Sequence, residues 1–186
     1  MGRLRSLLWS ILLSSLGFSA FCFYQIVSAE IDVREGVKTW EKAMDTRDNL
    51  QDPASLPVHL LGKLTLPAIN LKLPVIKGMS DDALQKGVGH DPFTPLPGEL
   101  GNTVLAGHRD GVFRKLGNLQ HGDEIIIETG SSTFHYQIVN YKIVDKDDIH
   151  AVQPSEERKL TLITCYPFAY IGNAPKRYII EATLKQ

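Results

Sequence analysis

Thr161-Leu162-Ile163-Thr164-Cys165-Tyr166-Pro167 is the stretch that decides how this chain is read. Its β-branched and apolar residues form a strand pattern, and period-two alternation sets Thr161, Ile163 and Cys165 on one face and Leu162 and Thr164 on the other. Pro167 cannot extend a central ladder, so the strand ends here and Cys165 stands at its terminus beside a loop. A strand end held by a rigid sheet is a place where a reactive side chain can meet solvent. Apart from Cys22, inside an apolar N-terminal segment, Cys165 is the only thiol among the 186 residues. It has no disulfide partner in the rest of the chain, and is therefore inert, bridged between molecules, or a nucleophile.

Short β-rich runs recur on both sides of this strand: 58–66, 69–76, 102–106, 124–128, 133–144, 159–165 and 177–184, punctuated by Gly, Pro, Asn and Asp. Only 80–85 and 113–119 read as short helical turns. The pattern predicts an all-β sandwich or barrel with minor helices, and closure into a barrel would remove exposed edges. Without the N-terminal segment the remaining length suits one domain with one core. A net charge of -1 and a pI near 6.6 leave no basic footprint for nucleic acid.

Residues 7–27 carry no charge, and roughly twenty apolar residues are what one helix needs to cross a bilayer. Arg3 and Arg5 precede the segment while Glu30 and Asp32 follow it, so the positive-inside bias puts 1–6 in the cytoplasm and the rest of the chain outside. A cleavable signal usually has a shorter apolar region, so residues 7–28 are expected to remain as an anchor in spite of the small residues Ser28 and Ala29. From 32 to 50, Val33, Val37, Trp40 and Met44 recur at three- and four-residue spacing, which predicts an amphipathic helix that packs on a surface. Pro53 and Pro57 break it, so 29–56 is expected to be helix and linker and 57–186 the folded domain.

Only a thiolate attacks, and a free cysteine has a pKa of about 8.5, so a nucleophilic Cys165 needs a helper. His108 follows the buried run Thr103-Val104-Leu105-Ala106 and Gly107, and so also stands at a strand end. His90, in Gly89-His90-Asp91, is the rival base. His59, His121, His135 and His150 sit where solvation or packing accounts for them. A fixed positive charge would stabilise an oxyanion. Arg177 begins the last strand, and a hairpin returning from Cys165 could set the two side by side; Arg109 competes, but it adjoins His108 and points differently along an extended backbone.

Threonine-leucine-isoleucine-threonine-cysteine at 161–165, Tyr166-Pro167-Phe168, Arg177, and Gly101-Asn102 with Ala106-Gly107-His108-Arg109-Asp110 upstream together resemble the sortase family of membrane-anchored cysteine transpeptidases. The resemblance covers residues 56–186 and is strongest to the class D branch. It implies a closed eight-stranded β-barrel with short helices, behind one transmembrane helix, in the cell membrane with the catalytic domain extracytoplasmic. It implies Cys165 as nucleophile, His108 as the catalytic histidine and Arg177 as the transition-state donor. His90, Val152, Pro154, Thr164 and Tyr166 are then expected around the bound substrate. The implied reaction is acyl transfer: Cys165 attacks the threonine carbonyl of a sorting signal of Leu-Pro-x-Thr type, and an amine on peptidoglycan or a pilin resolves the thioester. No cofactor is expected. The acidic residues Asp145, Asp147, Asp148, Glu156 and Glu157 lack regular ligand spacing, so no metal site is expected either. An L,D-transpeptidase is a poorer match, because its motif sets histidine and glycine before the cysteine, where this chain has Ile163 and Thr164. From another class, the alternative is a non-catalytic surface-tethered β-domain that binds sorting signals or assists pilus assembly.

Overall fold

The structure is a computed structural model that describes residues 2–49, 59–148, 152–170 and 172–185. Helix α1 (Gly2–Asn49) is followed by strands β1 (Leu60–Leu66) and β2 (Leu71–Lys77), helix α2 (Asp81–Lys86), and strands β3 (Val88–His90), β4 (Gly101–Ala106), β5 (Glu124–Thr129), β6 (Thr133–Asp145), β7 (Arg158–Tyr166) and β8 (Lys176–Leu184). The chain divides into two compact units, Met1–Asp32 and Val33–Gln186.

In the first unit the described apolar side chains of α1, among them Leu8, Trp9, Leu12, Phe18 and Phe23, are exposed. Among the described residues no helix is long and apolar enough to cross a membrane. The side chains of residues 1–7, 25, 26, 29 and 30 lie outside the described set.

In the second unit the amphipathic helix expected from 32 to 50 is present as the C-terminal part of α1, which runs on to Asn49. Val33, Gly36, Val37, Trp40, Ala43 and Met44 are its inward positions, at the predicted three- and four-residue spacing, and Trp40 is fully buried. Glu41 takes Lys63 Nζ of β1 at 3.5 Å, and Lys63 also meets Glu128 of β5 at 3.1 Å. The linker with Pro53 and Pro57 lies outside the described residues.

The eight strands close into a barrel in the order β1-β2-β3-β4-β7-β8-β6-β5. Alternation along β7 sends Leu160 and Leu162 into the core, where Leu64, Leu66, Leu73, Val75, Leu105, Ile125, Ile127, Tyr136 and Ile180 meet them. Seven strands fall where the sequence puts them; β3 does not. Gly87 before it and Gly89 within it hide it, and tertiary packing explains them: a Cβ on Gly89 would lie 2.5 Å from the Gly78 carbonyl oxygen, and one on Gly87 2.5 Å from that of Pro74. β3 pairs with β2 in parallel and with β4 antiparallel, joining the two halves of the wall. The helical turn expected at 80–85 is α2, capped by the Ser80 hydroxyl, which accepts from the Ala83 N–H at 3.3 Å. In the other, at 113–119, only Leu116–Asn118 closes as a short 3₁₀ turn.

Candidate active site

β4, β7 and β8 are adjacent, and their registers fix where three side chains stand. Cys165 lies directly opposite Arg177 in the antiparallel β7–β8 pair, so the two share a face with Cβ atoms about 5 Å apart. On the other side β4 runs parallel to β7 with Ala106 beside Ile163, and the Gly107 N–H donates to the Ile163 carbonyl at 3.2 Å. His108 follows two residues past the end of β4. Because β7 lies between β4 and β8, the nucleophile candidate has the histidine segment on one flank and the arginine strand on the other. All three line a single cavity of about 310 Å³, with Arg109, Asp110, Lys146, Gly172, Asn173 and Ala174.

Each of the three is held from its own element. The His108 carbonyl accepts from the Gly111 and Phe113 N–H groups at 3.3 and 3.0 Å, and the Phe113 ring is sunk in the core. Gly107 makes this turn possible, since a Cβ there would meet Phe113 Cδ2 at 2.7 Å and Val112 Cγ2 at 2.8 Å. Thr164, on the face opposite Cys165, donates its hydroxyl to the Gly107 carbonyl at 2.7 Å and ties the cysteine strand to the histidine strand. Arg177 Nη1 donates to the carbonyls of Ala174 and Lys176 at 3.3 and 3.1 Å. Cys165 and His108 are half-buried, as is Arg177. Three cationic side chains, Arg109, Lys146 and Arg177, face one anionic one, Asp110, so the lining favours negative charge that develops at sulfur or at a carbonyl oxygen.

Arg109 is a different kind of residue from Arg177. It is buried and donates to the Pro167, Tyr170 and Gly172 carbonyls at 3.4, 2.8 and 3.0 Å, with its guanidinium over the Tyr170 ring. It clamps the loop that follows the cysteine. The sequence offered no sign of this, because the partners lie about sixty residues further on.

The remaining sequence-predicted residues do not line the cavity. His90 is buried on β3 with Nε2 3.0 Å from the Pro95 carbonyl oxygen. Tyr166, one residue past Cys165, turns to the opposite face and packs with Phe168 and Tyr178. Val152 is half-buried and Pro154 exposed, in the segment that leads into β7. His150 lies outside the described residues, and no group of acidic, histidine or cysteine side chains that could hold a metal occurs among the described ones.

Comparison with known proteins gives the family. Residues 64–185 match the sortase domain. The chain belongs to the sortase family. Over 120 residues it is 50% identical to Sortase D from Bacillus subtilis (strain 168), an alignment that takes in 64% of this chain and 61% of that protein. The solved catalytic domain of SrtD from B. anthracis is 41% identical, with a TM-score of 0.58 over 70% of this chain and 90% of that one. A Sortase D5 transpeptidase from Clostridium perfringens is 26% identical, with a TM-score of 0.65 over 84% of this chain and 98% of that one. The class D likeness seen in the motifs is therefore also carried by whole-domain similarity, and the sortase spans about three fifths of the length of the curated relatives it matches first.

Proposed function

We propose that the chain is a sortase-type cysteine transpeptidase with Cys165 as nucleophile, His108 as proton carrier and Arg177 as oxyanion donor. The observation that carries the reading is that Cys165, Arg177 directly opposite it and His108 just past the end of β4 all line one cavity. Cys165 Sγ attacks the threonine carbonyl carbon of a Leu-Pro-x-Thr type signal, and the oxyanion so formed is met by the Arg177 guanidinium. As the peptide C–N bond breaks, His108 gives a proton to the leaving amine and a thioester remains. An incoming amine, on peptidoglycan or a pilin, loses its proton to the same imidazole and forms the new amide while the thiol is released. Val152 and Pro154 form the wall along the Leu-Pro part of the signal. Residues 7–28 anchor the protein in the cell membrane with residues 57–186 outside: the uncharged run at 7–27, taken whole, has the length that a spanning helix requires, and its described side chains other than half-buried Cys22 are exposed.

The test is intact-protein mass spectrometry after incubation with a sorting-signal peptide. The expected result is one acyl adduct, released by hydroxylamine and absent from Cys165→Ala at unchanged fold. Normal peptide transfer by the alanine variant would overturn the assignment. Peptide binding without any adduct, in the wild type as in the variant, would favour the non-catalytic alternative.

A further inference from the structure

The outward face of β4 and β7 runs away from Cys165 through Ala106 and Ile163 to Val104, Thr161 and Asn102. At Cys165 and Ile163 this face is half-covered; at Ala106, Val104 and Thr161 it is buried although it points away from the barrel core. Asn102 links this buried patch to the segment that precedes β7. Its Oδ1 accepts the Thr161 hydroxyl at 2.8 Å and its Nδ2 donates to the Gln153 carbonyl at 2.9 Å. Only one orientation of the amide satisfies both, because a hydroxyl donor and a carbonyl acceptor ask for opposite ends. The Gln153 carbonyl belongs to the peptide that joins Gln153 to Pro154, one residue after Val152. A second tie, from the Gly101 N–H to the Glu157 carbonyl at 3.2 Å, fixes the far end of the same segment.

We infer that Asn102 is a positioning residue for the acyl donor: by linking the Gln153 carbonyl to Thr161 through its amide, it fixes the segment 152–157 as the wall of the peptide groove. The inference deepens the transpeptidase reading and rests on it. Asn102 does not line the cavity with Cys165. Its effect is on how tightly the signal is held, and the chemical step at the cysteine is left alone. The bond is part-buried and Gln153 itself is exposed, so removing the donor takes away one hydrogen bond that holds the segment to β4.

The deciding variant is Asn102→Asp in the full chain, which keeps the acceptor for Thr161, loses the N–H donor and sets a carboxylate against the Gln153 carbonyl. Hydrogen exchange of the peptide 152–157 is expected to speed up by about fivefold, and KM for a sorting-signal peptide to rise by about fivefold with kcat within about twofold, the scale of one lost hydrogen bond. Thr161→Val, which removes only the hydroxyl that orients the amide, moves both readouts in the same direction by less, and carries the test if Asn102→Asp does not fold. Unchanged exchange at 152–157 in a folded variant overturns the inference, as does faster exchange with KM unmoved or a fall in kcat alone. A wild type that forms no thioester defeats the transpeptidase reading instead, and the exchange measurement still decides whether Asn102 pins the segment.

Discussion

Arg109 and Arg177 reach the same cavity with guanidinium groups that cannot replace one another. Arg177 stands opposite Cys165 and, among the described residues, bonds only to carbonyls of its own turn, so its loss removes a charge from the reacting centre while leaving the strands paired. Arg177→Ala is expected to lower kcat/KM by about two to three orders of magnitude, the loss seen when one oxyanion donor is removed, with Tm nearly unchanged. Arg109→Met keeps the apolar stem and strands three carbonyls, at a cost of about 1–3 kcal/mol in stability by chemical denaturation. A variant of Arg177 that lost Tm as steeply as Arg109→Met would reverse these roles. Cys165 and His108 were legible in the sequence because strand alternation and a following Pro or Gly mark strand ends locally. Arg109 was not, since burial beside carbonyls 58 to 63 residues away leaves no local trace.

Between elements, β6 and β8 are joined by Glu181, which takes Lys142 Nζ at 2.7 Å and Asn140 Nδ2 at 3.0 Å. Burial alone would raise the Glu181 pKa, but those two bonds and the charges of Lys142 and Lys159 outweigh it and hold the carboxyl below its ordinary value. A carboxyl depressed in the folded state contributes stability that is fully present above the pKa of the unfolded chain and is lost as pH falls through the folded value. Urea unfolding of wild type against Glu181→Gln should therefore show a gap near neutrality that closes in acid; a gap that widens in acid would contradict the sign. β3 makes the opposite kind of demand on sequence. Gly89→Ala puts a Cβ against the Gly78 carbonyl oxygen and should cost about 1–3 kcal/mol, measured by denaturation, as overpacking against backbone does. The strand escaped the sequence reading for the same reason: its glycines serve neighbours in space, and a three-residue run carries too little alternation to declare itself.

For the molecule as a whole, the C-terminal part of α1 is part of the folded unit from Val33 onward, and Trp40 is its fixed point. Trp40→Ala should cost about 3–5 kcal/mol, the usual loss for a large aromatic truncated in a packed site. Trp40→Phe should cost far less, because the indole Nε1 it removes is buried without a hydrogen-bond partner among the described residues. Thermal unfolding of the pair decides the matter, and equal losses would mean that Nε1 has a partner. By itself the sequence determined seven strands, the all-β class and the inward face of the helix after Val33, and it pointed to the family and to the three residues of the candidate site. These are matters of alternation, helical spacing and chain punctuation, which act between near neighbours. Tertiary structure alone decided the eighth strand, the barrel order that puts β7 between β4 and β8, the clamp made by Arg109, and the tie from Asn102 to Gln153. Each of these depends on groups brought together from distant parts of the chain, and a pattern read along the backbone holds no record of which side chain another will meet.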